Sequence, residues 1–312
     1  MIDLKRIAVV IPAYKVKKYI LEVVQTLPDF IDDIIVIDDK CPQESGRFIQ
    51  SLNILDVTIV YHEINQGVGG AIISGYKKAI ELQSDIIIKV DGDGQMDPNH
   101  IEKLIEPILD NKADYTKGNR FSDFKALKQM PKIRLFGNSA LSFLVKASSG
   151  YWNMMDPTNG FTAITKEAIW GLDIDKLSKR YFFESDMLIN LNIENCVVID
   201  VPLPAKYDEE ESSLSITKVL FDFPPKLFKG FIKRIFLKNY IYNFNMASIY
   251  ILLGFPMFVF GFISGGINWY QSVVSGIEAS TGTVMLSALP IILGVQFLLQ
   301  AISIDMDNIP KK

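Results

Sequence analysis

The sequence IIIKVDGDGQ, residues 86–95, joins an apolar run to two aspartates that a single glycine separates. Four apolar residues and one lysine, bounded by Asp and Gly, are typical of a short buried strand. Such a strand would bring Asp91 and Asp93 to the carboxyl end of its sheet, which is the edge where open α/β folds bind ligands. This stretch therefore predicts both a fold class and a candidate site.

Apolar runs of the same kind recur before residue 243 and alternate with helix-like segments. The runs predicted to be strands are residues 7–11, 34–37, 57–61, 86–90 and 196–201. Between the first two, residues 15–27 have apolar side chains at positions 20, 23, 24 and 27, which is the spacing of one helical face. Strands and helices in alternation predict a mainly parallel α/β sheet.

Two segments near the C-terminus, residues 246–269 and 283–304, contain no Asp, Glu, Lys or Arg. Each is longer than the roughly 20 residues that an α-helix needs to cross a bilayer, so we predict two transmembrane helices. The alternative is a pair of buried helices in a large soluble core, but core helices rarely run this long without a charge.

Basic residues flank these two segments on one side only. The flanking cations are Lys226, Lys229, Lys233, Arg234 and Lys238 before the first span and Lys311 and Lys312 after the second. The connecting loop has no Lys or Arg. Cytoplasmic flanks carry an excess of basic residues, so we predict that both termini and the N-terminal domain face the cytoplasm.

Residues 220–242 mix cations with Phe, Leu and Ile, a composition that suits amphipathic helices lying among lipid headgroups. A simple stop-transfer flank is the alternative. We therefore predict an integral membrane protein with three parts: a catalytic domain (residues 1–214), amphipathic juxtamembrane helices (215–242) and a two-helix transmembrane domain (243–312).

Composition narrows the class of protein further. The chain has 312 residues and a formal net charge of -4, so it lacks the positive charge that drives non-specific nucleic-acid binding, and no nucleic-acid partner is expected. Cys41 and Cys196 lie far apart and predict neither a zinc site nor a disulfide. The first apolar run stops at Pro12, too soon for a signal peptide.

The carboxylate pair Asp91 and Asp93 suits a hard cation. Mg²⁺ and Mn²⁺ favour a couple of carboxylates together with substrate phosphate oxygens. Such a cation would neutralise the charge that develops on a departing diphosphate. An Asp-x-Asp alone can also be an ordinary turn, but the strand that precedes it favours the metal site.

Other strand ends carry groups suited to a nucleoside. Asp38 and Asp39 follow the second predicted strand, and Tyr14 follows the first. A carboxylate there can accept a hydrogen bond from a nucleobase or a ribose, and an aromatic ring can stack on a base. Plain helix or turn caps are the alternative for the two aspartates.

Two arginines and one aspartate form a candidate acceptor site. Arg120 follows a short strand-like run, and Arg134 begins a helix-period stretch. Arginine forks bind phosphate in a bidentate fashion, which suits an anionic acceptor, although a structural role is the alternative. Asp156 opens the turn-rich segment 156–161, where its carboxylate could orient the acceptor or take a proton.

The remaining ionisable residues lack a recognisable motif. His62 and His100 have neither ligand nor triad spacing, so we assign them no catalytic role. Glu184 and Asp186 are interpreted as charges at the N-terminus of a helix. The sequence contains neither a Walker loop nor a Gly-x-Ser-x-Gly elbow.

Taken together in this order, several segments resemble family 2 glycosyltransferases of the GT-A fold, specifically the polyprenyl-phosphate glycosyltransferases. The matching segments are residues 11–14, 36–39, 65–69, 90–95 with 97–98, 118–121 and 156–161. The chain differs from the family pattern at Lys15-Val16, where Asn-Glu is usual, and at Met96, where a histidine is frequent.

The resemblance implies a GT-A nucleotide-sugar-binding domain and a role for each candidate residue. The residues that it places around the base and ribose are Pro12, Tyr14, Asp38 and Asp39, and those at the metal and diphosphate are Asp91, Asp93 and Gln95. The residues that it places at the acceptor phosphate are Arg120 and Arg134. Asp156 would be a base or would orient the acceptor. The implied reaction is inverting, metal-dependent transfer of a hexose to a polyprenyl phosphate in membrane lipid. Family frequency favours glucose from UDP-glucose, and homo-oligomer formation is left open.

Two other functions remain as alternatives. A processive polysaccharide or glycolipid synthase would share the catalytic half, but it should carry a Gln-x-x-Arg-Trp motif and more spans, and none of the three tryptophans has that context. A non-catalytic membrane module that binds a nucleotide would be free to lose Asp91 and Asp93, and both are present.

Overall fold

A computed structural model of the chain describes residues 5–122, 132–204 and 216–312, apart from the side chains of residues 122, 132–138 and 216–220. The chain divides into two compact units, Met1–Arg234 with Pro310–Lys312, and Ile235–Ile309. The division after Arg234 falls inside the predicted juxtamembrane segment, residues 215–242. That predicted three-part division remains an expectation.

Seven strands of the described residues form one sheet in the order β3-β2-β1-β4-β6-β5-β7. Their bounds are β1 Ile7–Ala13, β2 Asp33–Asp38, β3 Val57–Tyr61, β4 Ile86–Lys89, β5 Tyr115–Asn119, β6 Thr162–Thr165 and β7 Val198–Pro202. All neighbouring pairs are parallel except those of β6, which runs antiparallel to β4 and β5. The predicted mainly parallel α/β sheet is confirmed.

Eight helices accompany the sheet along the described part of the chain. Their bounds are α1 Ile20–Gln25, α2 Ser45–Ser51, α3 Val68–Glu81, α4 Ile101–Leu109, α5 Lys132–Ser149, α6 Lys166–Gly171, α7 Phe183–Ile193 and α8 Ile216–Phe236. The predicted apolar face is buried at Ile20, Val23 and Val24, but α1 ends at Gln25, so Leu27 lies beyond it and is only partly buried. The helix also begins at Ile20, five residues after Lys15, whose φ of 62° is outside the helical region.

The central strands are buried on both faces, as expected for parallel strands that helices cover on either side. Ile7, Ala8, Val9 and Val10 of β1 are all fully buried. Helix α3 packs closely on this strand, because a Cβ atom at Gly75 would collide with the side chain of Val10. The polar ends of β1, β2 and β4 therefore project together from a rigid apolar core.

The strands β5 and β6 lack an apolar run, and the sequence predicts neither of them clearly. Thr116, Lys117 and Asn119 of β5 are buried, and so is Thr162 of β6. Buried polar side chains need hydrogen-bond partners, and here the partners come from distant parts of the chain. This polar half of the sheet carries much of the candidate site.

The second unit contains two long helices, α9 Met246–Ser275 and α10 Thr281–Asp307, which are long and apolar enough to cross a membrane. Small residues let them approach closely: a Cβ atom at Gly254 would lie 2.9 Å from Phe297 Cβ, and Ser264 Oγ lies 3.0 Å from Ser287 Oγ. In the most apolar stretch of 18 residues, only 22% of α9 and 11% of α10 is buried. The core helices of a soluble protein are mostly buried.

Candidate active site

The turn after β4 presents the two aspartates of the Asp-x-Asp motif. Asp91 and Asp93 are both partly buried. Gln95 N donates to Asp93 Oδ1 at 3.0 Å, and Asp91 N donates to Met96 Sδ at 3.2 Å. The turn is thus held by its own hydrogen bonds, and the side chain of Gln95 is exposed beside it.

A buried lysine lies behind Asp91. The side chain of Lys89, the last residue of β4, is only 2% exposed, and its Nζ lies 3.0 Å from Asp91 Oδ1 and 3.3 Å from Glu184 Oε1. Burial acts to lower the pKa of Lys89, but the two carboxylates outweigh it and raise the pKa above its ordinary value. Glu184 is therefore more than the helix-end charge that the sequence suggests.

A row of polar side chains extends from Lys89 across four strands. Lys89 is paired with Thr162 of β6, Thr162 with Lys117 of β5, and Lys117 with Asp200 of β7. Residues directly opposite each other in paired strands share a face of the sheet. The row therefore places two lysines and one carboxylate under the loop that precedes β6.

Lys117 is fully buried, and its Nζ donates to the carbonyl oxygen of Asn159. Burial lowers the pKa of Lys117 to about 8, and the nearby Glu184 and Asp156 offset only part of that effect. Burial also raises the pKa of Asp200 above its ordinary value. Lys117 thus fixes the loop that carries Asp156 and Asn159.

Arg120 and Asp156, both predicted from the sequence, bind each other. Arg120 Nε donates to Asp156 Oδ2 at 2.8 Å, and Arg120 Nη2 donates to Asp156 Oδ1 at 3.2 Å. Asp156 is fully buried, whereas the side chain of Arg120 is 43% exposed. The carboxylate therefore fixes the orientation of a guanidinium that reaches the surface, and any contact of Asp156 with an acceptor has to pass through Arg120.

Gly160 connects these two groups. A Cβ atom at this position would collide with Lys89 Nζ and would lie 2.9 Å from Asp91 Oδ2. The loop of residues 156–161 thus begins at the Arg120 pair and ends against the Asp91 carboxylate. The candidate metal ligands and the candidate phosphate ligand consequently belong to one connected site.

On the nucleoside side, Asp38 holds the loop that leads into α2. Its Oδ1 accepts a hydrogen bond from Cys41 N at 2.7 Å, and its Oδ2 accepts one from Gly46 N at 2.8 Å. Asp38 is buried and caps this turn. Capping is one of the two roles predicted for it from the sequence, and contact with a nucleoside is the other. Its contact with a nucleoside remains a prediction.

Asp39 holds the next loop in the same way. It accepts hydrogen bonds from Gln66 N and Gly67 N, each at 2.8 Å, and lies 2.7 Å from His62 Nδ1. The two backbone hydrogen bonds order the glycine-rich segment at the start of α3, and the contact with His62 ties Asp39 to the residue after β3. Asp39 therefore shapes this edge of the site from a buried position.

His62 continues the chain of contacts to Ser74, whose Oγ lies 2.8 Å from His62 Nε2. The order Ser74, His62, Asp39 is that of a hydrolase triad. Ser74 lies in the middle of α3, however, where neighbouring backbone N–H groups are bonded within the helix and cannot stabilise an oxyanion. We therefore assign this trio a structural role, and the absence of a catalytic role for His62 stays a prediction.

The other predicted residues take the following positions. Pro12 is half-buried in β1, and Tyr14 just beyond the strand is 44% exposed, with Lys15 Nζ 5.5 Å from the centroid of its ring. Because β1 is the parallel neighbour of β2 and β4, these residues share one edge with Asp91. Arg134 lies on α5, and its side chain is outside the described residues.

The donor set fits a divalent cation that is shared with a substrate. No group of three or more His, Cys, Asp or Glu side chains suited to a metal occurs among the described residues. Two carboxylates, Asp91 and Asp93, are what Mg²⁺ or Mn²⁺ requires when water and phosphate oxygens complete its coordination. Met96 is a poor ligand for such hard cations.

Comparisons with known proteins agree with this geometry. The family model described as "Glycosyl transferase family 2" matches residues 8–172. A UDP-N-acetylglucosamine–dolichyl-phosphate N-acetylglucosaminyltransferase of Methanococcus voltae is 34% identical over 220 residues, covering 66% of this chain and 87% of that protein. A dolichol-phosphate mannosyltransferase of Pyrococcus furiosus is 24% identical over 286 residues, covering 88% and 77%.

Among solved structures, glucosyl-3-phosphoglycerate synthase from Mycobacterium tuberculosis, in complex with Mn²⁺, uridine diphosphate and phosphoglyceric acid, has the same fold. The TM-score is 0.54 at 16% sequence identity, covering 74% of this chain and 78% of that one. At this identity the likeness shows the fold alone.

The family match and these relatives define an enzyme that transfers sugars, and the chain belongs to glycosyltransferase family 2. It is a glycosyltransferase. The predicted resemblance to the polyprenyl-phosphate glycosyltransferases is confirmed, since relatives over most of its length are named for dolichyl-phosphate acceptors.

Proposed function

We propose that this protein transfers a sugar from a nucleoside-diphosphate donor to a polyprenyl phosphate at a membrane surface. The observation that carries the proposal is the loop of residues 156–161, which connects Arg120 with Asp91. One end of this loop holds Arg120, a partly exposed guanidinium that Asp156 orients and whose positive charge suits a phosphate. Its other end lies against a carboxylate suited to a metal-bound diphosphate.

On the donor side, Tyr14 and Pro12 would contact the base, within loops that Asp38 and Asp39 hold in place. Asp91, Asp93 and Gln95 would lie beside the diphosphate. A divalent cation held by the two carboxylates would neutralise the negative charge of the departing diphosphate. The fold neighbour in complex with Mn²⁺ and uridine diphosphate supports this class of cofactor, and either Mg²⁺ or Mn²⁺ fits the donor set.

On the acceptor side, an oxygen of the lipid phosphate attacks the anomeric carbon from the face opposite the diphosphate. A new C–O bond forms, the bond between C1 and the diphosphate oxygen breaks, and that electron pair leaves with the nucleoside diphosphate, which inverts the configuration. A phosphate monoester has a second pKa of about 6 and is mostly ionised at neutral pH, so no base is needed. We propose that Arg120 positions the acceptor phosphate and that Asp156 positions Arg120.

The sugar is the least constrained part of the proposal. Glucose from UDP-glucose rests on family frequency, whereas the relatives described above are named for N-acetylglucosamine and mannose transfer. We therefore propose a nucleoside-diphosphate hexose or N-acetylhexosamine as the donor class, with UDP-N-acetylglucosamine as the first candidate because it is named for the relative at 34% identity.

Membrane attachment is part of the proposal. Helix α8 buries Phe223 and Leu227, and it leaves Phe221, Phe228 and Ile232 at least half exposed among exposed lysines. This mixture of aromatic, aliphatic and cationic side chains suits the headgroup region of a bilayer. We propose that α9 and α10 span the membrane and that both termini face the cytoplasm.

One assay separates this function from its alternatives. Detergent-solubilised full-length protein is incubated with Mn²⁺ or Mg²⁺, a polyprenyl phosphate and, in turn, labelled UDP-N-acetylglucosamine, GDP-mannose and UDP-glucose. We expect one donor to give a labelled lipid that carries a single sugar. A polymeric product would indicate a processive synthase, and nucleotide binding without transfer to any acceptor would indicate a non-catalytic module. Either result would overturn the proposal.

A further inference from the structure

Lys89 and Glu184 have no part in the proposed reaction, yet they contact its metal-ligand region. Lys89 Nζ lies between Asp91 Oδ1 and Glu184 Oε1, at 3.0 and 3.3 Å. Asp91 Oδ1 is inaccessible to solvent, although the side chain of Asp91 as a whole is 29% exposed. The lysine thus occupies the inner side of this carboxylate, and Oδ2 is the oxygen left to face a ligand.

Burying the ammonium group of Lys89 between the carboxylates of Asp91 and Glu184 is energetically unfavourable compared with apolar packing. Taking an ammonium and a carboxylate out of water is expensive, and well-packed apolar side chains of similar volume are often as stable or more stable. Gly160 packs so closely here that a Cβ atom would collide with Lys89 Nζ. A feature that packing alone does not favour, placed on a candidate metal ligand, points to a role in the site.

The charges suggest what that role is. Without Lys89, the carboxylates of Asp91 and Glu184, which lie 3.0 and 3.3 Å from its Nζ, would form a two-carboxylate acidic cluster that attracts divalent cations with or without a substrate. Lys89 places a positive charge within this cluster, which opposes a second cation at Asp91. A nucleoside diphosphate brings its own negative charge and would offset that opposition.

We propose that Lys89 is a positioning residue that restricts Asp91 to one metal-facing oxygen and makes metal binding depend on the nucleoside diphosphate. Glu184 sets the strength of this effect, because it shares the positive charge of Lys89 with Asp91. This inference rests on the proposed metal site at Asp91 and Asp93.

Two substitutions separate this role from a merely structural one, because they are expected to act in opposite directions. Lys89→Met removes the opposing charge, so Mn²⁺ should bind about tenfold tighter in the absence of nucleotide. Glu184→Gln leaves the charge of Lys89 to Asp91 alone, so Mn²⁺ should bind about three- to tenfold weaker. Lost packing or lost folding would weaken binding in both variants.

The measurement is Mn²⁺ binding by electron paramagnetic resonance of the purified full-length protein in detergent, with and without UDP. We expect UDP to tighten Mn²⁺ binding strongly in the wild type and much less in Lys89→Met. Lys166→Met is the matched control, because Lys166 also pairs with an aspartate, Asp85, at 3.0 Å, at the opposite end of β4. This control should leave Mn²⁺ binding unchanged.

The outcomes distinguish failure of this inference from failure of the proposed function. A wild-type protein that binds no Mn²⁺ even with UDP would overturn the metal site and the inference with it. Wild-type binding that both variants weaken, or that neither changes, would overturn the inference alone. If Lys89→Met does not fold, Glu184→Gln decides, since Mn²⁺ binding that is unchanged or tighter contradicts the proposed role.

Discussion

The two halves of the sheet use aspartate in different ways. On the side of β1 and β2, Asp39 accepts hydrogen bonds from backbone N–H groups of the loop that it orders. On the side of β4, β5 and β6, Asp91 is paired with Lys89, and Asp156 is paired with Arg120. A carboxylate that holds backbone should control folding, whereas one that holds a cation should control the charge presented to substrates.

The largest change in activity is expected at Asp93, an aspartate that we propose contacts the metal and the substrate. Asp93→Asn keeps an oxygen for the hydrogen bond from Gln95 N but removes the charge that would hold a divalent cation. We expect kcat/KM for sugar transfer to fall by about 100- to 1,000-fold, because charge on the departing diphosphate is less well stabilised. The thermal unfolding temperature should stay the same.

Asp97→Asn is the matched control for this prediction. Asp97 lies in the same stretch, where its carboxylate accepts a hydrogen bond from Asn99 N at 3.0 Å at the start of the next turn. This control should keep most of the activity. Full metal-dependent turnover by Asp93→Asn would remove Asp93 from the metal site and would break the comparison.

The second effect concerns the acceptor. Arg120→Lys keeps the positive charge but cannot make the bidentate contact with Asp156. We expect kcat/KM measured with varied polyprenyl phosphate to fall by about 10- to 100-fold, because the cation is no longer held in one orientation. The KM for the nucleotide-sugar should not change.

Arg47→Lys provides the control for Arg120→Lys. Arg47 pairs with Glu44 at 2.7 Å on the surface, with both side chains more than half exposed. An exposed pair of this kind contributes little, so the control should behave as the wild type. A rise in the KM of the nucleotide-sugar in Arg120→Lys would instead place the arginine on the donor side.

The third effect is expected in stability. Asp39→Asn would direct an amide N–H group toward one of its backbone donors, and we expect the free energy of unfolding to fall by about 1–3 kcal/mol. Denaturant unfolding of the detergent-solubilised protein measures it. Asp110→Asn, at a surface aspartate that pairs with Lys112 at 2.8 Å, should change little. Lost UDP binding at unchanged stability would place Asp39 among the chemical aspartates.

The sequence predicts the apolar half of the sheet well, because the signal there is local. The strands β1, β2 and β4 are runs of Ile and Val that burial on both faces requires, and the Asp-x-Asp motif follows β4 directly. The edge strand β3 is only partly buried, but it is also a short apolar run. The signal for the two C-terminal helices is equally local, because their length and lack of charge are visible in the sequence without any knowledge of tertiary contacts.

The polar half depends on contacts between residues that are distant in the sequence. Lys89 and Glu184 are 95 residues apart, and Arg120 and Asp156 are 36 apart. The sequence analysis identifies Arg120 and Asp156 as candidate acceptor-site residues and Glu184 as a helix-end charge. The sequence does not show which cation pairs with which carboxylate. The strand β5 is indicated only as a short strand-like run before Arg120, for the same reason: Lys117 looks like a surface residue until its partner, the carbonyl of Asn159, is known.

The last effect is expected at Lys117; it is the smallest near neutral pH and grows as the pH rises. Burial lowers the pKa of Lys117 to about 8, whereas an unfolded lysine titrates at about 10.4. Below pH 8 both states hold the proton, and the cost of burying the charge is present in full. Between the two values the unfolded chain binds more protons than the folded one, so the free energy of unfolding rises with pH, by at most about 1.4 kcal/mol per pH unit.

Lys117→Met should abolish that rise, since methionine has a similar length and no charge. The measurement is denaturant unfolding of both proteins from pH 7 to pH 10, and the quantity compared is the difference between them at each pH, which removes the titration of all other groups. We expect the wild type to gain on the variant above pH 8, while Lys112→Met, at an exposed lysine, runs parallel to the wild type. Parallel curves for Lys117→Met would mean that the folded protein keeps Lys117 charged up to pH 10, and the polar half of the sheet would then hold two buried ammonium groups over the whole pH range and not only below pH 8.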